Sequence, residues 1–269
     1  MQALQTMDVS AAKQIRFVLT DIDDTVTTEG RLTANAYTAL EQLSTAGIIV
    51  IPITGRPAGW CDHIARMWPV FAVVGENGAF YMRYDRARRK MTTHQWATEA
   101  HLQDNRKKLN RLALEILQAV PGSALASDQH YRLADLAIDF CEDVEPLPEA
   151  SVMKIVSLFE GAGARAKVSS IHVNGWFGDY DKLSMAKTLF AREFGLELQA
   201  NNPQALFIGD SPNDEPMFEF FSYSVGVANI QKQLHRLTHR PKFVTPSEGG
   251  TGFVEMAHWL LLAHEMQFQ

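Results

Sequence analysis

Residues 15–25 read IRFVLTDIDDT, a short apolar run rich in β-branched side chains that stops abruptly at a cluster of acids. An unbroken apolar run of this length suits a strand buried on both faces of a parallel sheet. On an extended segment, side chains two apart point the same way, so Asp21 and Asp23 share one cleft. In open parallel sheets, ligands bind in the cleft at the carboxyl ends of the strands.

The same pattern recurs further along the chain. Residues 33–46 read as a helix capped by Thr33, with Leu40 and Leu43 on one face and Gly47 ending it. Residues 48–54 (IIVIPIT) read as a second buried strand, 57–68 as a helix and 71–75 (FAVVG) as a third strand. That βαβ order implies a parallel sheet wrapped by helices. The rhythm changes at 84–90 (YDRARRK), a polar, basic stretch that reads as a boundary. Beyond it, helical periodicity at 101–120 and 149–161 is mixed with strand-like stretches. Residues 133–140 put Leu136, Ile138 and Phe140 on one face and Asp135 and Asp139 on the other, as in a sheet covered by helices on one side only. The α/β rhythm then returns, with helices at 182–194 and 213–221, strands at 205–209, 223–228 and 242–245, and a closing helix at 252–266. The expected fold is α/β: a doubly wound parallel sheet built from residues 1–83 and 178–269, interrupted by an inserted α+β domain at 84–177.

Composition agrees with that frame. A chain of 269 residues, 46% hydrophobic, can bury the cores of two compact domains. The net charge of −6 argues against a general nucleic-acid binder. The two cysteines lie far apart, residues 1–16 hold no apolar signal core, and the longest apolar run, 48–53, is short and broken by Pro52. These features point to a cytoplasmic protein that neither binds nor crosses a membrane.

The polar residues gather at one edge of the expected sheet. The second strand ends in Thr54-Gly55-Arg56, Lys182 opens the helix after the insertion, and the strand at 205–209 runs into Asp210-Ser211-Pro212-Asn213-Asp214. Each group alone has an ordinary reading as a helix cap, a loop hydroxyl or a solvated charge. Jointly they do not. Several carboxylates in one cleft repel each other unless a cation sits among them, and oxygen-only ligands suit Mg2+.

In this order, the four segments resemble the motifs of the haloacid-dehalogenase-like (HAD) phosphatase superfamily. The segment VVGENGAF around Asn77, the large insertion after it, VGVANI at 225–230 and EGGTGF at 248–253 are similar to the Cof-type branch. That branch inserts a cap domain between its second and third motifs. The resemblance implies that Asp21 is a nucleophile forming an aspartyl-phosphate and that Asp23 is the general acid and base. Thr54, Gly55 and Lys182 would hold the phosphoryl oxygens, with Asn213 nearby. Magnesium would be bound by the Asp21 carboxylate, the Asp23 backbone carbonyl and Asp210, with Asp214 as an outer partner. The sequence departs from the branch at Asp24 and Leu183, where relatives usually have glycine.

The implied reaction is hydrolysis of a small-molecule phosphate ester, with a sugar phosphate favoured by the resemblance and the oligomeric state left open. Arg132, His172, Asn174 and Trp176 are candidates to read the leaving group. A phosphomutase or phosphotransferase, a response-regulator-like domain and a non-catalytic ligand-binding relative are the rival readings. His235 and His239 could form half a metal site and Gly249-Gly250-Thr251-Gly252 a phosphate cradle. A basic surface and a helix entry are the favoured readings of those two.

Overall fold

The computed structural model describes residues 1–169 and 171–265. In chain order, β1 (Gln2–Ala3) and α1 (Val9–Gln14) precede β2 (Phe17–Thr20), α2 (Ala34–Thr45), β3 (Ile49–Pro52), α3 (Ala58–Met67) and β4 (Val73–Gly75). The hairpin of β5 (Phe80–Asp85) and β6 (Lys90–Gln95) leads into α4 (Glu99–Ala119), β7 (Ala124–Leu125), β8 (Leu136–Asp139), α5 (Glu149–Gly161), β9 (Arg165–Val168) and β10 (His172–Trp176). Then follow α6 (Lys182–Leu189), β11 (Ala205–Gly209), α7 (Glu215–Phe220), β12 (Tyr223–Gly226), β13 (Phe243–Val244) and α8 (Gly249–Glu265). No helix among the described residues is long and apolar enough to cross a membrane.

The main sheet has six strands in the order β1-β13-β12-β11-β2-β3, and every pairing is parallel. Its strands feed two cores by simple alternation. Val18, Val50, Leu206 and Ile208 pack on one face with Leu40, Leu43, Phe253 and Leu260 of α2 and α8. Leu19, Ile51, Ala205 and Phe207 pack on the other with Leu189 and Phe218 of α6 and α7. Burial on both faces is why these strands read as continuous apolar runs. The Thr33 hydroxyl caps α2 by accepting from the Ala36 N–H (3.3 Å).

Local departures from the sequence reading have clear causes. The third strand, β4, meets the main sheet at a parallel bridge between Ile53 and Val74, and pairs along its length with β5 in antiparallel fashion. The polar run 84–90 forms the tip of the β5–β6 hairpin, where Asp85 pairs with Lys90. Helix α8 starts at Gly249, three residues before the expected start.

The insertion folds as an antiparallel sheet, β7-β8-β10-β9, with α4 and α5 on one face. Leu136, Ile138 and Val173 face Leu112, Ile116, Ile155 and Phe159 of those helices. The opposite face was expected to be solvated, yet Asp135 and Asp139 are fully buried. The reason is the neighbour: that face looks onto the carboxyl edge of the main sheet, not into water.

Candidate active site

Strand adjacency brings the first and last acidic segments together. Because β2 pairs directly with β11, the Asp21 N–H donates to the Ile208 carbonyl (2.9 Å), and Asp21 and Asp210 leave neighbouring strands side by side. Lys182 enters from the start of α6, which is fixed by a capping box between Asp181 and Ser184. Its Nζ lies 2.7 Å from Asp21 Oδ1 and 2.7 Å from Asp214 Oδ1. Asp21 and Lys182 are each 5% exposed, and Asp214 is fully buried. Oxygens of Asp21, Asp210 and Asp214 lie within 4.8 Å of one another, an acidic group able to hold a metal ion.

The surroundings orient this group. Asp214 Oδ2 accepts from the backbone N–H groups of Asp210 (3.2 Å) and Ser211 (3.4 Å), so Asp214 braces the loop it belongs to. The Asn229 amide donates to Asp210 Oδ2 (3.0 Å) and to the Asp24 carbonyl (3.1 Å). Thr25 Oγ1 donates to Asp210 Oδ1 (3.4 Å). Asp24 has φ +55°, a left-handed conformation that suits glycine best and that an aspartate tolerates better than most residues.

Three carboxylates crowd around one ammonium, and the proton affinities of Asp21, Asp210 and Lys182 register the imbalance. Burial pushes Asp21 up to about 7, with Lys182 opposing the rise and Asp214 and Asp23 adding to it. Asp210 rises well above the usual carboxylate range, from burial first and then from Asp21 and Asp214. Burial alone would lower Lys182, but Asp21 and Asp214 outweigh it and hold the ammonium above the ordinary lysine range. The excess of two negative charges in a water-poor pocket is what a divalent cation would neutralise.

Asp23 points elsewhere. Its carboxylate is bidentate to Arg56, with Nε 3.0 Å from Oδ2 and Nη2 2.8 Å from Oδ1. Arg56 also reaches toward the insertion, 4.0 Å from Asp128 and 3.8 Å from Glu142. A cavity of about 50 Å³ lies between, lined by Asp21, Asp23, Gly55, Asn213 and, from the insertion, Arg132, His172 and Asn174. Thr54 does not front the cavity; it is fully buried, and its hydroxyl accepts from the Arg56 N–H (3.0 Å). Trp176 does not front it either, being 2% exposed and stacked on Tyr180.

Other candidates are not brought to the site. The Gly250 N–H is taken by the Thr27 carbonyl (3.1 Å) and that of Gly249 by Asn229 Oδ1 (3.1 Å), leaving neither for a phosphate. His239 lies 3.4 Å from Glu215 and from Glu219 on the surface, and joins no metal-ligating group among the described residues. Arg56, Asn229 and Asn77, which also lines the cavity, had no role in the sequence reading. The signal for Arg56 was its place beside Thr54-Gly55 at a strand's carboxyl end; for Asn229, it was the VGVANI segment.

Fold and site together define a capped α/β enzyme with an acidic, lysine-backed centre at the carboxyl edge of a parallel sheet. The sequence matches the profile of the haloacid dehalogenase-like hydrolases over residues 18–132 and 179–255, and the chain belongs to that family. The unmatched stretch falls in the insertion, which sits after the second motif as in the Cof-type branch. Thermoplasma acidophilum protein 0175 is similar in structure, with 19% identity, a TM-score of 0.70, and 92% of this chain and 99% of that one covered. A HAD/COF-like hydrolase from Plasmodium vivax gives 18%, 0.68, 97% and 100%. A HAD-superfamily phosphatase from Bacteroides thetaiotaomicron gives 17%, 0.61, 92% and 96%. At these identities the likeness is one of fold. No curated protein matches the sequence.

Proposed function

We propose that this HAD-type enzyme is a magnesium-dependent phosphomonoesterase that acts on a small phosphorylated metabolite through an aspartyl-phosphate at Asp21. The observation that carries the reading is Asp21 held 2.7 Å from a buried Lys182 within a group of three carboxylates. A carboxylate oxygen there attacks phosphorus and the bond to the leaving oxygen breaks, with Asp23 supplying the proton to the alkoxide. Water then attacks the acyl phosphate, Asp23 takes its proton, and Asp21 is regenerated with release of phosphate. Lys182 offsets the repulsion between an anionic nucleophile and an anionic ester. Both Asp23 oxygens now face Arg56, so proton transfer requires one of them to turn toward the leaving group while Arg56 retains the other.

Asp21, Asp210, the Asp23 backbone carbonyl and, behind them, Asp214 would hold the magnesium, which when bound supplies positive charge to the phosphoryl oxygens. Gly55, Asn213 and the Thr54 loop would cradle those oxygens. Residues 84–177 would act as the cap, with Arg132, His172 and Asn174 facing the leaving group. A sugar phosphate is the favoured substrate, on the resemblance to the Cof-type branch. Phosphate release measured across a panel of phosphorylated metabolites, with and without magnesium, tests the reading. Turnover that persists in excess chelator, or needs zinc alone, would sink it.

A further inference from the structure

Three consecutive residues, Glu76, Asn77 and Gly78, have positive φ (44°, 56° and 107°). Such a run is costly for the two side chains that have a Cβ, and strain of this kind persists where the surroundings over-determine it. The third position needs glycine, since a Cβ on Gly78 would lie 2.1 Å from the Asp181 carbonyl oxygen at the entrance to α6. The backbone N–H groups of Asn77 and Glu76 donate to the carbonyls of Thr54 (3.0 Å) and Arg56 (3.1 Å), holding the loop at the end of β3. One turn therefore touches both the Thr54–Arg56 loop and the helix that carries Lys182.

The Glu76 side chain adds a third connection. It is fully buried, and its Oε1 accepts from the N–H groups of Leu133 (2.8 Å) and Ala58 (3.1 Å). Its Oε2 accepts from those of Ala134 (2.6 Å) and Asp135 (3.2 Å). A buried carboxylate is costly unless donors surround it, and three of these four come from one short stretch of the insertion. That stretch begins with Arg132, whose Nη1 donates to the Gly55 carbonyl (3.0 Å) and to Asp135 (3.1 Å). Asn174 donates to the same Asp135 carboxylate (2.9 Å). Burial and then Asp135 push Glu76 up to about 7, against the N–H donors and Arg132.

We propose that Glu76 is a positioning residue, docking residues 132–135 of the cap onto the Thr54–Arg56 loop and so fixing where Arg132 and Asn174 meet the leaving group. The functional half of this rests on the phosphatase reading; the docking half does not. Amide hydrogen exchange at about pH 8, where the carboxylate is ionised, compares wild type with Glu76→Gln, which sets an amide NH₂ against backbone donors. The amides of Leu133, Ala134 and Asp135 should exchange at least about tenfold faster while β2 and β11 keep their protection. Selectivity across a metabolite panel should fall by about tenfold, with turnover of a small aryl phosphate held within about threefold. Glu76→Asp keeps the charge one methylene short, should move the same amides, and carries the test if Glu76→Gln does not fold. Unchanged exchange at 133–135, exchange raised equally across core and cap, or equal losses on every substrate would overturn the proposal. If wild type releases phosphate from no ester, the phosphatase reading fails and the exchange data alone decide the docking.

Discussion

Below the cleft, the carboxylates of Asp21, Asp210 and Asp214 face one another, and Asp21 and Asp214 share the ammonium of Lys182. Above it, Asp128, Asp135 and Glu142 face guanidinium groups instead. Asp128 and Asp135 lie 3.2 and 3.1 Å from Arg132, and Glu142 lies 3.8 Å from Arg56. Both clusters are acidic, yet they differ in what they lack. The lower one is short of positive charge, and the burial-driven rise of Asp21 and Asp210 marks the place for a cation and for chemistry. In the upper one Arg132 meets Asp128 and Asp135 at hydrogen-bond distance and Arg56 stands close to Glu142, which suits docking and recognition.

Substitutions should separate the two clusters, and the largest effect belongs to the lower. Asp21→Asn keeps the shape of the side chain but removes the attacking oxygen, so turnover should fall below about 10⁻⁴ of wild type. Quench and peptide mapping should find no phospho-enzyme. An active Asp21→Asn protein, or phosphate on another residue, would end the distinction drawn here.

Asp23 stands between the clusters, and its variant sharpens the boundary. Asp23→Asn should cost ~10²–10⁴-fold on an alkyl phosphate, the usual contribution of a general acid or base. An aryl phosphate needs little protonation on departure, so its first step should suffer less and phosphorylated Asp21 should accumulate. Equal slowing of both esters with no accumulation would assign Asp23 to the upper, structural set.

For the upper cluster the expected loss is in stability. Arg132 is almost wholly buried, and Asp135 and Asp128, with Glu76, outweigh burial to hold its guanidinium above the usual range. Arg132→Met strands two carboxylates and should destabilise the fold by about 3–5 kcal/mol in a denaturant titration. A loss under ~1 kcal/mol would mean that water reaches those acids.

The smallest effect is a linkage. Asp21, raised to about 7 without a cation, must be deprotonated to ligate one, so protons compete below that pH. Apparent magnesium affinity should weaken as pH falls through about 7, by up to ~tenfold per unit for each proton displaced from Asp21 and Asp210. Calorimetric titrations in buffers of different ionisation enthalpy should record proton uptake by the buffer. A flat affinity across that range would show that the lower cluster is already ionised.

Much of this was legible in the chain, for a physical reason. Strands buried on both faces announce themselves as apolar runs, and their endings located Asp21, Thr54 and Asp210 at one edge. Short elements left no such trace: β1 spans two residues and α1 six, too few for any periodicity to register. The pairing of Arg56 with Asp23, and the capture of the backbone of residues 133–135 by Glu76, join groups far apart in sequence and carry no local signature. The burial of Asp135 was missed because alternation shows which face a residue is on, not what covers that face.

The strand order carries a consequence for how the protein is made. Until residues 205–209 exist, β2 has β3 on one side and an open row of backbone donors and acceptors on the other. Thr25 and its partner Asp210 are 185 residues apart, an interval of roughly 10–40 s at ordinary rates of synthesis. A strand with a neighbour on either side in the finished sheet is therefore, on the ribosome, an exposed apolar edge of the kind that recruits chaperones or neighbouring chains. The cap is translated within that same interval, so the cover over the site is complete before the site is.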